Sequence, residues 1–504
     1  NEPATGHFKL AKRRIAEVAR QLKIVPGSYE ATEAKTKLNA LRDSVVRDID
    51  LEVAKYAFAE AIPYLIARTD ALTHKYERSQ ATVRHALEHD VDYDRGQAFA
   101  KQQSEYLRMH KNYRYLIEKF IQLQPGGQQR LEKDAFQYLV ALVDWLQVIY
   151  QASDNVHYGI FHPVKILINS DYLVDVEYEA DIESKQEVFT EEQSKLDLGL
   201  VGNPTDRVDS PRPVESLLNK LDQAFKQDLG FGLRSMVNVL QILTRWAEYS
   251  KIEENAYYCA NLKKIREVCL RNIVGIDQVE IEPILNFLTL RSYDVIRVLD
   301  QDEVCKDLPV WEHRKRYARY TLRPLVLIGK HYYWGPYSTM KSGIIWSGYT
   351  SSGTLPIDLR STNIQRVIDT EKRLIEDALV AKALEIAERY TSHARREVDL
   401  RKVNKKHPRG LGDYDVLAYF PEINCVLSIE CKDILPPHCL KDAKRLKEKI
   451  FGKPGKDRGF FGKIMRRQTY LSNNLPRIAA DLKWPIDINS LPLVISIFLS
   501  RRTY

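Results

Sequence analysis

Apolar residues along this chain recur at two different periods, and the alternation between them predicts its elements. From 27 to 120 the residues Ala, Glu, Lys, Leu and Arg dominate, with Pro63 and Gly96 as the later breakers. Backbone entropy and side-chain crowding both favour helix in such a stretch. Phe136, Leu139, Val143, Leu146 and Tyr150 repeat at spacings of three and four. That spacing puts them on one buried stripe of a helix beginning after the Pro-Gly-Gly turn at 125–127. Residues 162–181 alternate apolar and polar side chains, as a strand pair does. The polar, turn-rich stretch 190–216 reads as a long loop or linker. Helices are expected again over 214–249 and 256–290.

A second strand-rich block is expected over 320–356, where Trp334, Trp346 and several tyrosines lie near Lys330 and Lys341. Aromatics beside lysines can stack nucleic-acid bases, but Tyr and Trp are ordinary strand formers and a β core is the simpler expectation. From 361 onward the pattern gives a long helix (361–390), a strand (394–403), two strands in the segment 412–433, a helix around 463–482 and a last strand ending at Ser500. No internal repeat of fixed period is present. The expected fold class is multidomain α+β. Its parts are a helical domain (1–160), a mixed helix and strand domain with the aromatic block (161–358) and a compact α/β module (359–504).

At 504 residues the chain can bury a large core. Hydrophobic residues make up 44% and charged residues 29%, far from a disordered balance. No run of 18 or more apolar residues occurs, so no membrane span is expected. The start, NEPATGHFKLAKRR, lacks an apolar signal core and an initiator Met, which suggests a processed chain. The cysteines at 259, 269, 305, 425, 431 and 439 form no CxxC pair, so a reduced, cytoplasmic protein is expected. The net charge is +8, and residues 441–467 alone carry eleven Lys or Arg against three acids. A basic segment on a near-neutral body points to an anionic partner or to a solvated loop.

The segment GDYDVLAYFPEINCVLSIECKD (412–433) reads as two strands around a Pro-Glu-Ile-Asn corner, with acids where a core strand would carry valine. If Phe420 pairs with Cys425, opposed residues sum to 845 and Asp415 faces Glu430. Directly opposed Cβ atoms lie about 4.5–5.5 Å apart. Alternation puts Asp413, Asp415, Glu430 and Lys432 on one face, with Tyr414, Val416, Val426 and Cys431 on the other or continuing its packing. Two like charges opposed repel, so a cation or a lysine must offset them. Mg²⁺ (or Mn²⁺), which takes oxygen ligands and often uses one or two carboxylates with substrate phosphates, would do so, and Lys432 would reach the same pocket.

The acid in GDYDVLA followed by Glu-x-Lys in SIECK resembles the core of the PD-(D/E)XK nuclease superfamily, the restriction-endonuclease-like fold. The resemblance covers roughly 361–504. It implies that Asp415 and Glu430 bind metal, that Lys432 is the catalytic lysine and that a helical glutamate completes the site. Tyr414 stands where the family pattern has Pro. Gln468 on the following helix is similar to the NERD-like arrangement. Glu376, flanked by Leu379, Val380, Ala383 and Ala387, is the first candidate for the helical acid, for catalysis and for metal. Glu371, Glu385 and Glu388 compete with it.

No Walker-type phosphate loop, H-E-x-x-H or G-x-S-x-G occurs. His393, His407 and His438 flank the segment and are expected at the surface. Lys463, Arg466, Arg467 and Gln468, with Lys444 and Arg445, are the candidate nucleic-acid contacts, since cations near the acids would hold backbone phosphates. The expectation is a metal-dependent nuclease acting on DNA, with RNA also compatible, and a regulatory or partner-binding N-terminal region. The resemblance places it in restriction or anti-phage defence, and cutting both strands would call for a homo-oligomer. The alternative is a non-cleaving nucleic-acid-binding scaffold or interaction protein.

Overall fold

A computed structural model of the chain describes residues 3, 5–89, 95–158, 165–177, 214–296, 319–351, 361–434, 440–453, 459–487 and 489–500. The fold is mixed α+β. The chain forms two compact units, one from Asn1–Gly202 with Leu218–Val367, the other from Asn203–Leu217 with Ile368–Tyr504. Residues on both sides of the expected 160/161 division, among them Leu116, Phe136, Ile166, Leu290 and Tyr320, share one buried core.

The first unit is mainly helical, and the predicted stripe from Phe136 to Tyr150 is buried along the helix Lys133–Tyr158. The expected strand pair appears as β2 (Lys165–Ile168) and β3 (Val174–Glu177). A short β1 (Gly27–Tyr29), not foreseen within the helical stretch, pairs with β2. The part of the expected linker from 190 to 213 lies outside the described residues, as does His438. A second sheet has the order β4-β6-β5, with β4 at Tyr258–Asn261, β5 at Val326–Ile328 and β6 at His331–Trp334. Residues 258–261 are therefore strand rather than the expected helix. They pair with the aromatic strand β6, and Asn261 caps the helix that follows by accepting from Lys264 N.

The strand expectation for 320–356 holds only to Trp334. Pro336–Ser351 is a helix, and its cap comes from far away. The buried Asp70 carboxylate accepts from Tyr337 N at 2.9 Å and Ser338 N at 2.7 Å, satisfying donors that a helix start leaves unpaired. Gly335 makes room for this contact, since a Cβ there would meet Asp70 Oδ1 at 2.2 Å. The aromatics are core. Trp334 packs edge-on against Trp246 with centroids 5.1 Å apart, and both Trp334 and Trp346 donate to backbone carbonyls.

The second unit is a sheet covered on both faces. Its order is β10-β9-β8-β7, with β7 at Ala394–Val398, β8 at Tyr414–Phe420, β9 at Cys425–Lys432 and β10 at Leu493–Ser500. The pairs β7–β8 and β8–β9 are antiparallel, and β9–β10 is parallel. The strand expected over 394–403 ends at Val398, because Asp399 caps the short helix Leu400–Val403. Leu379, Val380 and Ala383 of the helix Thr362–Glu388 pack on Val416 and Cys431. On the other face Leu471, Leu475 and Ile478, from the helices Gly459–Asn473 and Leu475–Leu482, cover Leu417, Tyr419 and Val426.

Candidate functional site

The corner between β8 and β9 sets the register. Pro421–Ile423 makes a single 3₁₀ turn, and Asn424 closes it in the left-handed region at φ 44°, which Asn tolerates better than most residues. Its side chain also donates to Ser490 O at 3.0 Å. The pairs run Phe420↔Cys425, Tyr419↔Val426, Ala418↔Leu427, Leu417↔Ser428 and Val416↔Ile429, the expected register. Asp415 and Glu430 come next. There the Asp415 carboxylate takes over from the backbone ladder, accepting from Cys431 N at 2.7 Å.

Between the two acids lies the lysine. Lys432 Nζ is 3.2 Å from Asp415 Oδ2 and 3.2 Å from Glu430 Oε1. The second Glu430 oxygen accepts from Arg467 of the helix Gly459–Asn473. Burial alone would lower the Lys432 pKa, but Glu430 and then Asp415 outweigh it and hold the ammonium above its ordinary value. The repulsion foreseen between opposed acids is thus offset by Lys432 and Arg467, one positive charge for each carboxylate. Beside them the Cys431 thiol is pushed up to about 12, first by burial and then by Asp415. It stays a neutral packing group.

The other sequence candidates divide. Glu376 reaches the same end of β9, accepting from Asp433 N at 3.3 Å. Glu371 is buried, Glu385 is engaged with Lys382 and Arg389, and Glu388 is exposed. Asp413 precedes β8 and is exposed, and Val426 belongs with Leu417 and Tyr419 rather than with Val416. Arg467 is a member of the acid cluster rather than a free phosphate contact. Its Nε donates to Leu411 O at 3.0 Å and its guanidinium lies 5.7 Å from the Tyr414 ring centre. Gly412, at φ 80°, leaves room for it. Gln468 clamps the last strand by donating to Val494 O at 3.1 Å. Lys463, Arg466 and Arg445 are exposed, and Lys444 is half-buried.

His407 overturns the surface expectation. It is 1% exposed, with Nδ1 2.8 Å from Tyr470 Oη and Nε2 2.9 Å from Asp481 Oδ2. Its partners lie 63 and 74 positions later, out of reach of any local pattern.

Compared with known proteins, the chain matches no family model, no curated protein and no solved structure. Function is therefore read from the site. Carboxylate oxygens suit a hard divalent ion. Asp415 Oδ1 and Glu376 Oε2 accept no hydrogen bond among the described residues. A closed cage is not formed, since among those residues no three Asp, Glu, His or Cys side chains converge on one point. The donor chemistry offers a cation Asp415 Oδ1, with Glu430 joining once Lys432 or Arg467 releases one of its two engaged oxygens and with substrate and water completing the shell. It does not fit a preassembled three-carboxylate centre.

Proposed function

We propose that the second unit is a nuclease module that hydrolyses phosphodiester bonds of nucleic acid, DNA first, with RNA compatible. The observation that carries this reading is the Lys432 ammonium held at 3.2 Å from each of two carboxylates, Asp415 and Glu430, at the end of a paired strand. A lysine whose pKa is raised stays protonated at neutral pH. It therefore serves as a hydrogen-bond donor that stabilises charge building on a phosphoryl oxygen, not as a base. Asp415 is fixed by Cys431 N, and Glu430 by Arg467, so both present oxygens in set directions. A divalent cation bound by Asp415 and Glu430 together with substrate would supply Lewis acidity and a water of lowered pKa. Lys463, Arg466 and Arg445 would hold backbone phosphates without reading sequence. The defence setting, a protein partner for the first unit and self-association belong to this proposal through the resemblance alone.

One observation favours a second reading. The acids are already neutralised by Lys432 and Arg467, as in an inert ion network of a non-cleaving scaffold. Plasmid and oligonucleotide incubation with Mg²⁺, with EDTA and with Lys432→Ala separates the two. Cleavage that needs Mg²⁺ and is lost in Lys432→Ala supports the nuclease; binding without cleavage supports the scaffold.

A further inference from the structure

A cleft lies next to the acid cluster, between the loop 408–411 and the helix Gly459–Asn473, with a volume of about 530 Å³. That falls within the roughly 300–1,000 Å³ of small-molecule sites. Its lining carries Arg409, Arg466, Asn473 and Asn474 and no acid, with Met465 and Pro408 as apolar surface. Arg466 donates to Gly410 O and Asn474 Nδ2 to Tyr470 O at 3.0 Å, whereas the Arg409 guanidinium and the Asn473 amide make no hydrogen bond or ion pair among the described residues.

One lining residue is also held in place by a chain of polar side chains. Asn404, which donates to both Asp481 oxygens, and the buried His407 hold the Asp481 carboxyl below its usual range, so it is ionised. His407 Nε2 lies 2.9 Å from Asp481 Oδ2 and Nδ1 lies 2.8 Å from Tyr470 Oη, so the Tyr470 side chain is tied to this pair. Tyr470 itself lines the cleft.

We propose that this cleft binds one nucleotide. Arg409 and Arg466 take the phosphate, the carboxamides of Asn473 and Asn474 pair with the base edge, and Met465 packs on its face. Carboxamides, which donate and accept, match base edges as few other side chains do. Arg466 and Arg467 are adjacent on the helix, and Arg467 holds Glu430, so the cleft and the acids share one helical turn. The cleft as part of a substrate path rests on the nuclease reading; nucleotide binding does not.

The test is fluorescence anisotropy and calorimetry on the full chain in EDTA, where no metal-assisted cleavage can intervene. The probes are a labelled single-stranded oligonucleotide and adenosine 5′-monophosphate. Arg409→Ala and Asn473→Ala should each weaken binding about five- to tenfold. Arg373→Ala, an exposed arginine on the helix over the opposite face of the sheet, should change it less than about twofold. A loss seen with the oligonucleotide supports a strand subsite, and a loss seen with the free nucleotide alone supports an effector site. Wild-type affinity of both variants for both probes, or no binding of either probe by the wild type, overturns the proposal. Cleft-dependent binding by a chain that never cleaves with Mg²⁺ would remove the nuclease reading and leave the cleft standing.

Discussion

Each unit holds carboxylates where an apolar residue would be expected, and the two sites answer the cost of burial differently. In the first unit Asp70 is buried and its partners are two backbone N–H groups of the helix Pro336–Ser351. In the second, Asp415 and Glu430 share the terminal ammonium of Lys432, a long side chain that can turn toward a substrate. Fixed backbone donors make a joint. A movable cation between two half-buried acids makes a site with something to give up when an anionic ligand arrives. A buried carboxylate alone does not mark chemistry; the identity and freedom of its partners do.

Removing the shared cation breaks the comparison most directly. Lys432→Ala should lower Mg²⁺-dependent cleavage by about 10²–10³-fold, the size of a lost transition-state donor. The same variant leaves Asp415 and Glu430 opposed without their common partner and should lose about 1–2 kcal/mol of stability. Chemical unfolding of the variant, run beside the cleavage assay, shows whether the activity loss exceeds the stability loss. Comparable activity in wild type and variant would remove Lys432 from the mechanism.

Asp70 gives the contrasting result, a stability change with no direct bearing on cleavage. Burial raises its pKa from 3.8 to about 6, against the pull of the two backbone donors from Tyr337 and Ser338. The folded form therefore binds the proton more tightly than the unfolded form. Its contribution is fully present below about pH 3.8 and is lost as pH rises through about 6. Asp70→Asn, which cannot ionise, should remove a dependence of up to about 2–3 kcal/mol across that window. The measurement is the difference in unfolding free energy between wild type and variant at each pH, which cancels the titration of the other acids.

The hairpin was legible because its determinants are local. A Pro-to-Asn corner fixes the register down to Val416 opposite Ile429, and one residue further Asp415 and Glu430 both reach the Lys432 ammonium. The helix Pro336–Ser351 was not, because its cap lies 267 positions before Tyr337 and the intervening apolar run suits a strand equally well. Arg467 looked like a phosphate contact because helix-to-sheet docking, which has no sequence period, decides that it meets Glu430 instead. His407 was hidden for the same reason.

Gln468 lies on the same helix as the exposed basic residues yet acts as a clamp. Gln468→Ala should cost about 1 kcal/mol by removing the bond to Val494 O. Faster amide hydrogen exchange along Leu493–Ser500 would report the loosened edge strand. Unchanged exchange, with weaker nucleic-acid binding, would return Gln468 to the role the sequence suggested.

The smallest effect is expected at Lys463, whose exposed side chain makes no ion pair among the described residues. A surface lysine contributes little to folding, so Lys463→Ala should leave the unfolding midpoint in place. Each phosphate it neutralises releases condensed counterions. The slope of log affinity against log salt should therefore fall by about one unit for duplex DNA, equally for every sequence tested. The same substitution in an Arg467→Ala background separates the two kinds of cation. Arg467 holds Glu430 and its loss should change cleavage more than the salt slope, while Lys463 should change only the slope. An equal loss of slope at both positions would mean that Arg467 leaves Glu430 for phosphate when substrate binds, and the acid cluster would then be a gate that the nucleic acid opens.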